Sequence, residues 1–303
     1  MGYITPNRLF FYEKGFVILA GILLGLFSAL AWGAGDFIAK RTVDKIGPYV
    51  TLFYMFLVGT VLLGLLTFFV IGTAGPLDRW MILVILLSSI LGVLGYFCLY
   101  YGFQIGFLSV VSTITAAGTI VPVGLLLLIL QEWPTRIQLL GIVLIILGVT
   151  LVSFKRQPEI SPAILKKRLG VIPAIFSALF FGSYVVLIKI VSLKTGPILP
   201  IFIVRGMGVI LIGLTLIYRK EMTPPPKATW KYLLAIGVLD AAAFLAFTVG
   251  ITRTLVAIVA PLSSLFTLVT VILARVILKE QLAFHQKWGF WMVLIGVLTL
   301  SSQ

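Results

Sequence analysis

Residues Gly21–Pro48 read GILLGLFSALAWGAGDFIAKRTVDKIGP, and residues Gly170–Pro197 read GVIPAIFSALFFGSYVVLIKIVSLKTGP. Aligned without a gap at a shift of 149, ten of the 28 positions are identical, including Ser28/Ser177, Gly33/Gly182, Lys40/Lys189, Lys45/Lys194 and Pro48/Pro197. Each copy is a mostly apolar run, then a basic step, then a Gly-Pro turn. Apolar bias alone can align leucines, but it does not place lysines and a Gly-Pro turn in one register. The chain reads as a duplicated membrane protein.

Composition agrees. With 61% hydrophobic and 11% charged residues and a mean hydropathy of +1.19, a soluble domain would carry more apolar surface than it could bury. The net charge of +14 does not point to nucleic acid, because the lysines and arginines sit in short connections between apolar spans, as membrane proteins place them. Cys98, the one cysteine, lies inside a span, so there is no disulfide framework. One histidine and one cysteine rule out most metal cages built from those ligands. No metal and no cofactor is expected.

Working outward from the repeated stretch, the first span is Phe16–Ile38, long enough at 1.5 Å per residue to cross a hydrocarbon core about 30 Å thick. Arg8 and Lys14 before it, with Ala29-Leu30-Ala31 inside it, mimic a signal peptide. The same span recurs in mid-chain, where nothing would be cleaved, so that reading is rejected. Further spans follow at Tyr49–Ile71, Trp80–Gly102, Phe107–Leu130 and Ile137–Phe154. The basic, proline-containing stretch Lys155–Leu169 joins the halves. Spans six to ten are Gly170–Ile190, Ile198–Tyr218, Trp230–Gly250, Thr254–Leu278 and Lys287–Ser301. The fold class is an all-α polytopic membrane protein with ten transmembrane helices: a five-helix repeat over 16–154, a basic linker over 155–169 and a second repeat over 170–301.

The repeat continues at a shift of 148, which places Gly102 on Gly250, Glu132 on Glu280, Gly141 on Gly289 and Gly148 on Gly296. An odd number of spans per unit makes the second copy enter from the opposite side, so the two repeats are inverted. Inverted repeats around a midplane site are the architecture of many secondary transporters. Seven residues is two helical turns, so each Gly pair forms a small-residue seam for close helix contact.

Trp32-Gly33, the Gly-Pro before spans two and seven, and the glutamate-to-glycine spacing in LQEWPTRIQLLGIVLIILGVTLVS and LKEQLAFHQKWGFWMVLIGVLTLSS resemble the drug/metabolite transporter superfamily, EamA type, over nearly the whole chain. The resemblance implies a ten-helix, cofactor-free carrier of amino acids or other small metabolites, often an exporter, in the cell membrane. It names no substrate.

Ionisable groups inside spans are costly and are usually kept for function. Asp240 lies at the centre of span eight, and its repeat partner is Gly92. Arg205 lies about two turns into span seven, so in antiparallel neighbours the two depths differ by only about 5 Å. They are expected to face a shared central cavity, Arg205 drawing a carboxylate or phosphate and Asp240 binding a proton or an amine. The alternative is a permanent structural ion pair. Asp36 stands either in an i, i+4 pair with Lys40 or at a cavity mouth with Trp32, one turn earlier. Tyr96 and Tyr100, one turn apart in span three, and Phe244, the partner of Tyr96, complete the candidate substrate-binding set, although an aromatic stripe in a membrane helix is often packing. Lys40, Lys189 and Arg275 read as snorkelling residues. Glu132 and Glu280 read as helix-boundary groups. Pro122, and Pro261 with Ser263 and Ser264, mark points where a span can bend. His285 reads as a solvated loop residue.

Neither a G-x-x-x-x-G-K-[ST] phosphate loop nor H-E-x-x-H or G-x-S-x-G occurs in the sequence, so no catalytic residue is assigned. A secondary carrier is the leading function, ahead of an intramembrane enzyme acting on lipid and of a passive channel or scaffold. An organic-cation, drug or sugar carrier is the variant within that class. Its partners are a small-molecule substrate, the lipid bilayer and a coupling proton or cation, with the chain acting as a monomer or homodimer. Fourteen Lys and Arg lie on the face of connections one-two, five-six, seven-eight and nine-ten, against seven on the face of the termini. The positive-inside rule then places the termini outside, whereas the resemblance implies termini in the cytoplasm.

Overall fold

The computed structural model describes residues 6–70, 78–130, 133–153, 168–278 and 284–301. Their regular structure is helical: α1 (Pro6–Ile46), α2 (Pro48–Val70), α3 (Arg79–Ile105), α4 (Leu108–Ala117), α5 (Ile120–Leu130), α6 (Arg136–Ser153), α7 (Val171–Thr195), α8 (Ile198–Tyr218), α9 (Trp230–Arg253), α10 (Val256–Ser263), α11 (Phe266–Leu278) and α12 (Phe284–Ser301). Among the described residues, seven segments are long and apolar enough to cross a membrane: Val17–Ile46, Pro48–Phe69, Arg79–Ile105, Val171–Thr195, Ile198–Tyr218, Lys227–Arg253 and Val256–Leu273. Three shorter apolar helices, Val110–Leu125, Arg136–Leu151 and Lys287–Thr299, join them. Large apolar side chains such as Leu23, Leu30, Phe69, Leu214 and Leu298 point outward. Helices with satisfied backbones and apolar outer faces are what a bilayer requires.

The repeated Gly-Pro has a backbone cause. Gly47 and Gly196 take φ of +79° and +80°, a left-handed conformation that costs a Cβ-bearing residue roughly 1–2 kcal/mol. Each glycine ends one helix, and the proline after it opens the next connection with its φ already suited to a helix. The first helix therefore continues well past the expected end at Ile38, through the basic step to Ile46.

Spans four and nine are each broken. One break lies between α4 and α5 at Gly118 and Thr119, and the other between α10 and α11 at Ser264 and Leu265. Pro122 follows the first break and cannot donate to the Gly118 carbonyl four residues earlier, which suits a break there. Pro261 precedes the second. There the hydroxyls of Ser263, Ser264 and Thr267 donate to the carbonyls of Ala260, Pro261 and Ser264, competing with the helical ladder.

The two halves are packed into each other rather than side by side. The most extensive contacts pair α1 with α9, α3 with α7, α2 with α8 and α6 with α12, so each joins a first-half helix to a second-half one. The duplicated residues make duplicated contacts. Ser28 Oγ donates to the Ala243 carbonyl at 3.0 Å and Ser177 Oγ to the Gly95 carbonyl at 3.0 Å, and Ala243 and Gly95 are themselves 148 apart. A Cβ on Gly33 would lie 2.5 Å from Val269 Cβ, and one on Gly182 would lie 2.6 Å from Val121 Cβ, again partners at 148. The seam of α6 and α12 works the same way: a Cβ on Gly148 would meet the Gly289 carbonyl oxygen at 2.7 Å, and one on Gly296 the Gly141 oxygen at 2.8 Å. Small residues are needed where backbones approach so closely.

Several span-end expectations are corrected. Lys40 does not pair with Asp36; its Nζ lies 2.6 Å from Asp44 Oδ1, the carboxylate one turn on and more exposed. Lys189 is buried, so it does not reach to headgroups, whereas its partner Lys40 is part-exposed. His285 is not in a loop but in the first turn of α12, half-buried. Glu132, Glu280 and most of the stretch 155–169 lie outside the described residues, as does the side chain of Arg275.

Candidate functional site

Where the two halves meet, a cavity of ≈ 90 Å³ lies among α1, α3, α4, α7, α9 and the two broken spans. Most of its lining falls in repeat pairs. Trp32 and Phe181, Asp36 and Val185, Tyr96 and Phe244, Leu99 and Phe247, Thr115 and Ser263, and Gly118 and Phe266 are repeat partners, and all of these line it. A site lined by partners lies where exchange of the halves maps it onto itself. Chemistry then enters only where partners differ, and the sharpest difference is Asp36 against Val185.

The walls are aromatic. The Trp32 ring packs 4.9 Å from Phe244, 5.4 Å from Phe247 and 6.5 Å from Phe266, centroid to centroid. Tyr96 meets Phe181 edge-on at 4.8 Å and Phe244 at 6.1 Å. Edge and tilted contacts of this kind hold rings in place, and an electron-rich ring face attracts a cation. Two polar groups stand out against this lining. Thr115 is buried, and its hydroxyl has no hydrogen-bond partner among the described residues. Asp36 is buried at 7% exposure, lines the cavity and makes no ion pair among the described residues. A carboxylate without a counter-charge at this depth carries a large desolvation cost, which a bound cation or proton would relieve.

Asp240 and Arg205 are brought together, but behind the wall rather than in it. Arg205 Nη2 lies 2.7 Å from Asp240 Oδ2, with both side chains almost fully buried. The Tyr96 hydroxyl donates to Asp240 Oδ1 and accepts from Arg205 Nη2 at 3.2 Å. The guanidinium carbon sits 4.4 Å from the Phe244 centroid, 4.9 Å from Tyr96 and 5.4 Å from Phe56. In this conformation the two charges neutralise each other and neither lines the cavity; the ion-pair alternative describes their geometry. Tyr96 is shared, with its hydroxyl in the ion pair and its ring in the cavity wall. Tyr100 is set back as well, its hydroxyl 3.1 Å from Met55 Sδ.

Of the seven sequence candidates, Trp32, Asp36, Tyr96 and Phe244 therefore line the cavity, and Asp240, Arg205 and Tyr100 support it from behind. Sequence reasoning missed Phe181, Phe247, Thr115 and Phe266. The alignment held the signal for two of them, because carrying Trp32 across by 149 reaches Phe181 and carrying Ser263 back by 148 reaches Thr115.

Comparison with known proteins agrees with this architecture. The EamA-like transporter family matches residues 19–154 and again residues 168–302. An uncharacterised protein of Methanocaldococcus jannaschii, MJ1333.1, is 33% identical over 132 residues, which is 44% of this chain and 95% of that protein. A solved crystal structure shares the fold at a TM-score of 0.72 and 15% identity, covering 92% of this chain and 95% of the other. Two family matches in tandem, on a chain of repeated apolar helices, make this a multi-pass membrane protein: it belongs to the EamA-like transporter family of the drug/metabolite transporter superfamily.

Proposed function

We propose that the protein is a gradient-driven secondary carrier in which two inverted five-helix repeats, 16–154 and 170–301, ten spans in all, rock about the central cavity and expose it to each side in turn. The cavity lined by repeat partners supports this reading, since a site shared by both halves can be uncovered by moving either one. The work then comes from a gradient of protons or cations, or of the substrate itself. Export across the cell membrane is the direction that the resemblance favours. One chain closes the cavity, which favours a monomer as the transporting unit.

The observation that carries the reading is Asp36, an uncompensated carboxylate in an aromatic enclosure. It favours a small positively charged substrate with an apolar body, an amine or organic cation, held by charge and by the ring faces. An amino acid is the second reading, favoured by the nearness of Arg205: its amine would sit at Asp36, and its carboxylate would need Arg205 to exchange Asp240 for it across Tyr96. A thermal-shift screen of the purified protein with phenethylamine, tetramethylammonium, leucine and glucose tests both. The cation reading expects stabilisation by the first two, lost in Asp36→Asn. Stabilisation by leucine alone, lost in Arg205→Gln, selects the amino acid. Binding unchanged in Asp36→Asn would remove Asp36 from the mechanism.

A further inference from the structure

A second cavity lies away from the centre, between α1 and α9 near the end of α1. It is a groove of ≈ 350 Å³ lined by Phe37, Ile38, Arg41, Thr42, Asp44, Lys45 and Tyr232. Asp44 is engaged by Lys40. Arg41, Lys45 and the adjacent Lys231 are exposed, and none of them meets a carboxylate among the described residues. Aromatic rings organise them: the Arg41 guanidinium lies 4.7 Å from the Phe37 centroid, and the Lys45 and Lys231 ammoniums lie 5.8 and 5.0 Å from the same Tyr232 ring. Three uncompensated cations around one aromatic groove form a receptor for an anion.

The helices say which anion. On α1 the exposed Leu23, Phe27 and Leu30 are followed by the part-buried Ala34 and Ile38 and then by the exposed Arg41 and Lys45, all at three- and four-residue spacing, so one side of the helix is apolar up to the basic groove. On α9 the exposed Lys231, Leu234 and Val238 repeat the arrangement. From Phe27 to Ile38 the stripe is about 16 Å long at 1.5 Å per residue, about half of a 30 Å hydrocarbon core and so the depth of one leaflet. We infer that this groove binds an acidic phospholipid, its phosphate among Arg41, Lys45 and Lys231 and its acyl chains along the α1 and α9 stripes. Basic pockets between transmembrane helices at the headgroup level suit such lipids.

The test is native mass spectrometry of the full chain released from micelles containing phosphatidylglycerol or phosphatidylcholine, with inorganic phosphate added as a separate competitor. Phosphatidylglycerol should be retained at least tenfold over phosphatidylcholine. Retention should fall about fivefold for each cation removed and about a hundredfold in the triple variant Arg41→Gln/Lys45→Gln/Lys231→Gln, from the typical strength of a basic residue at an anionic surface. If the triple variant does not fold, Lys231→Gln alone carries the fivefold loss. Arg219→Gln, on the same face but outside the groove, should change nothing. Equal retention of the two lipids, retention unaffected by Lys231→Gln, or displacement by millimolar inorganic phosphate would each overturn the lipid assignment, the last in favour of a free-anion site.

Discussion

At the scale of single residues, charge placement divides the ionisable side chains into three kinds. Lys40 and Asp44 form an exposed i, i+4 pair of the sort that contributes about 0.3–0.5 kcal/mol; Asp44→Ala should leave transport and thermal stability nearly unchanged. Arg205 and Asp240 are buried against each other. Removing one partner of such a pair leaves a bare charge, at a cost of roughly 3–5 kcal/mol. Arg205→Gln and Asp240→Asn should therefore each lower the temperature at which the protein loses its monodisperse peak on size exclusion, and the double variant should recover most of the loss. A double variant as unstable as the sum of the singles would mean that the two charges do not depend on each other. Asp36 is the third kind, buried with no ion-pair partner among the described residues. Asp36→Asn relieves the unpaired charge, so the expected outcome is equal or higher thermal stability with transport abolished in proteoliposomes. Both halves of that outcome are needed, because a destabilised variant without transport would be merely misfolded.

At the scale of elements, glycine decides how near two helices come. A leucine at Gly33 or Gly182 would drive carbon into Val269 or Val121 at about two-thirds of the usual separation, so both variants should fail to yield folded protein. Gly47→Ala acts differently. Nothing lies within 4 Å of its Cβ position, so the loss is the left-handed backbone cost of roughly 1–2 kcal/mol, seen as a modest drop in the same heating assay. The broken spans were only half legible. Pro122 and Pro261 were visible in the sequence, yet one break precedes its proline and the other follows it. Proline removes a donor; where the chain gives way also depends on nearby hydroxyls and on the backbone that packs against the gap, Ala178 against Gly118 in the first case.

At the scale of the whole molecule, the two halves interlock through matched contacts, and the proposed inversion has a direct test. Lys45 and Lys194 are repeat partners at the ends of α1 and α7. In a Cys98→Ser background, Lys45→Cys and Lys194→Cys should react with an impermeant maleimide from opposite sides of sealed vesicles. Reaction from the same side would sink the inverted arrangement. A reporter fused after Gln303 and active only in the cytoplasm decides which side holds the termini. Substrate accumulation abolished by an uncoupler would separate a carrier from a channel.

The amino-acid sequence by itself determined the class, the duplication and most of the helices. Apolar length, the placing of lysines and the Gly-Pro register are properties of a chain read one residue after another. It also singled out Asp36, Trp32, Tyr96, Asp240 and Arg205, because polar groups within apolar spans are costly wherever they point. Only the tertiary structure decided which charge neutralises which. Lys40 turned out to serve Asp44 and not Asp36, and Arg205 to be taken by Asp240, leaving Asp36 alone in the cavity. Spacing along one helix limits what a side chain can reach, but a counter-charge from another helix is set by how the two halves pack, and no local pattern encodes that.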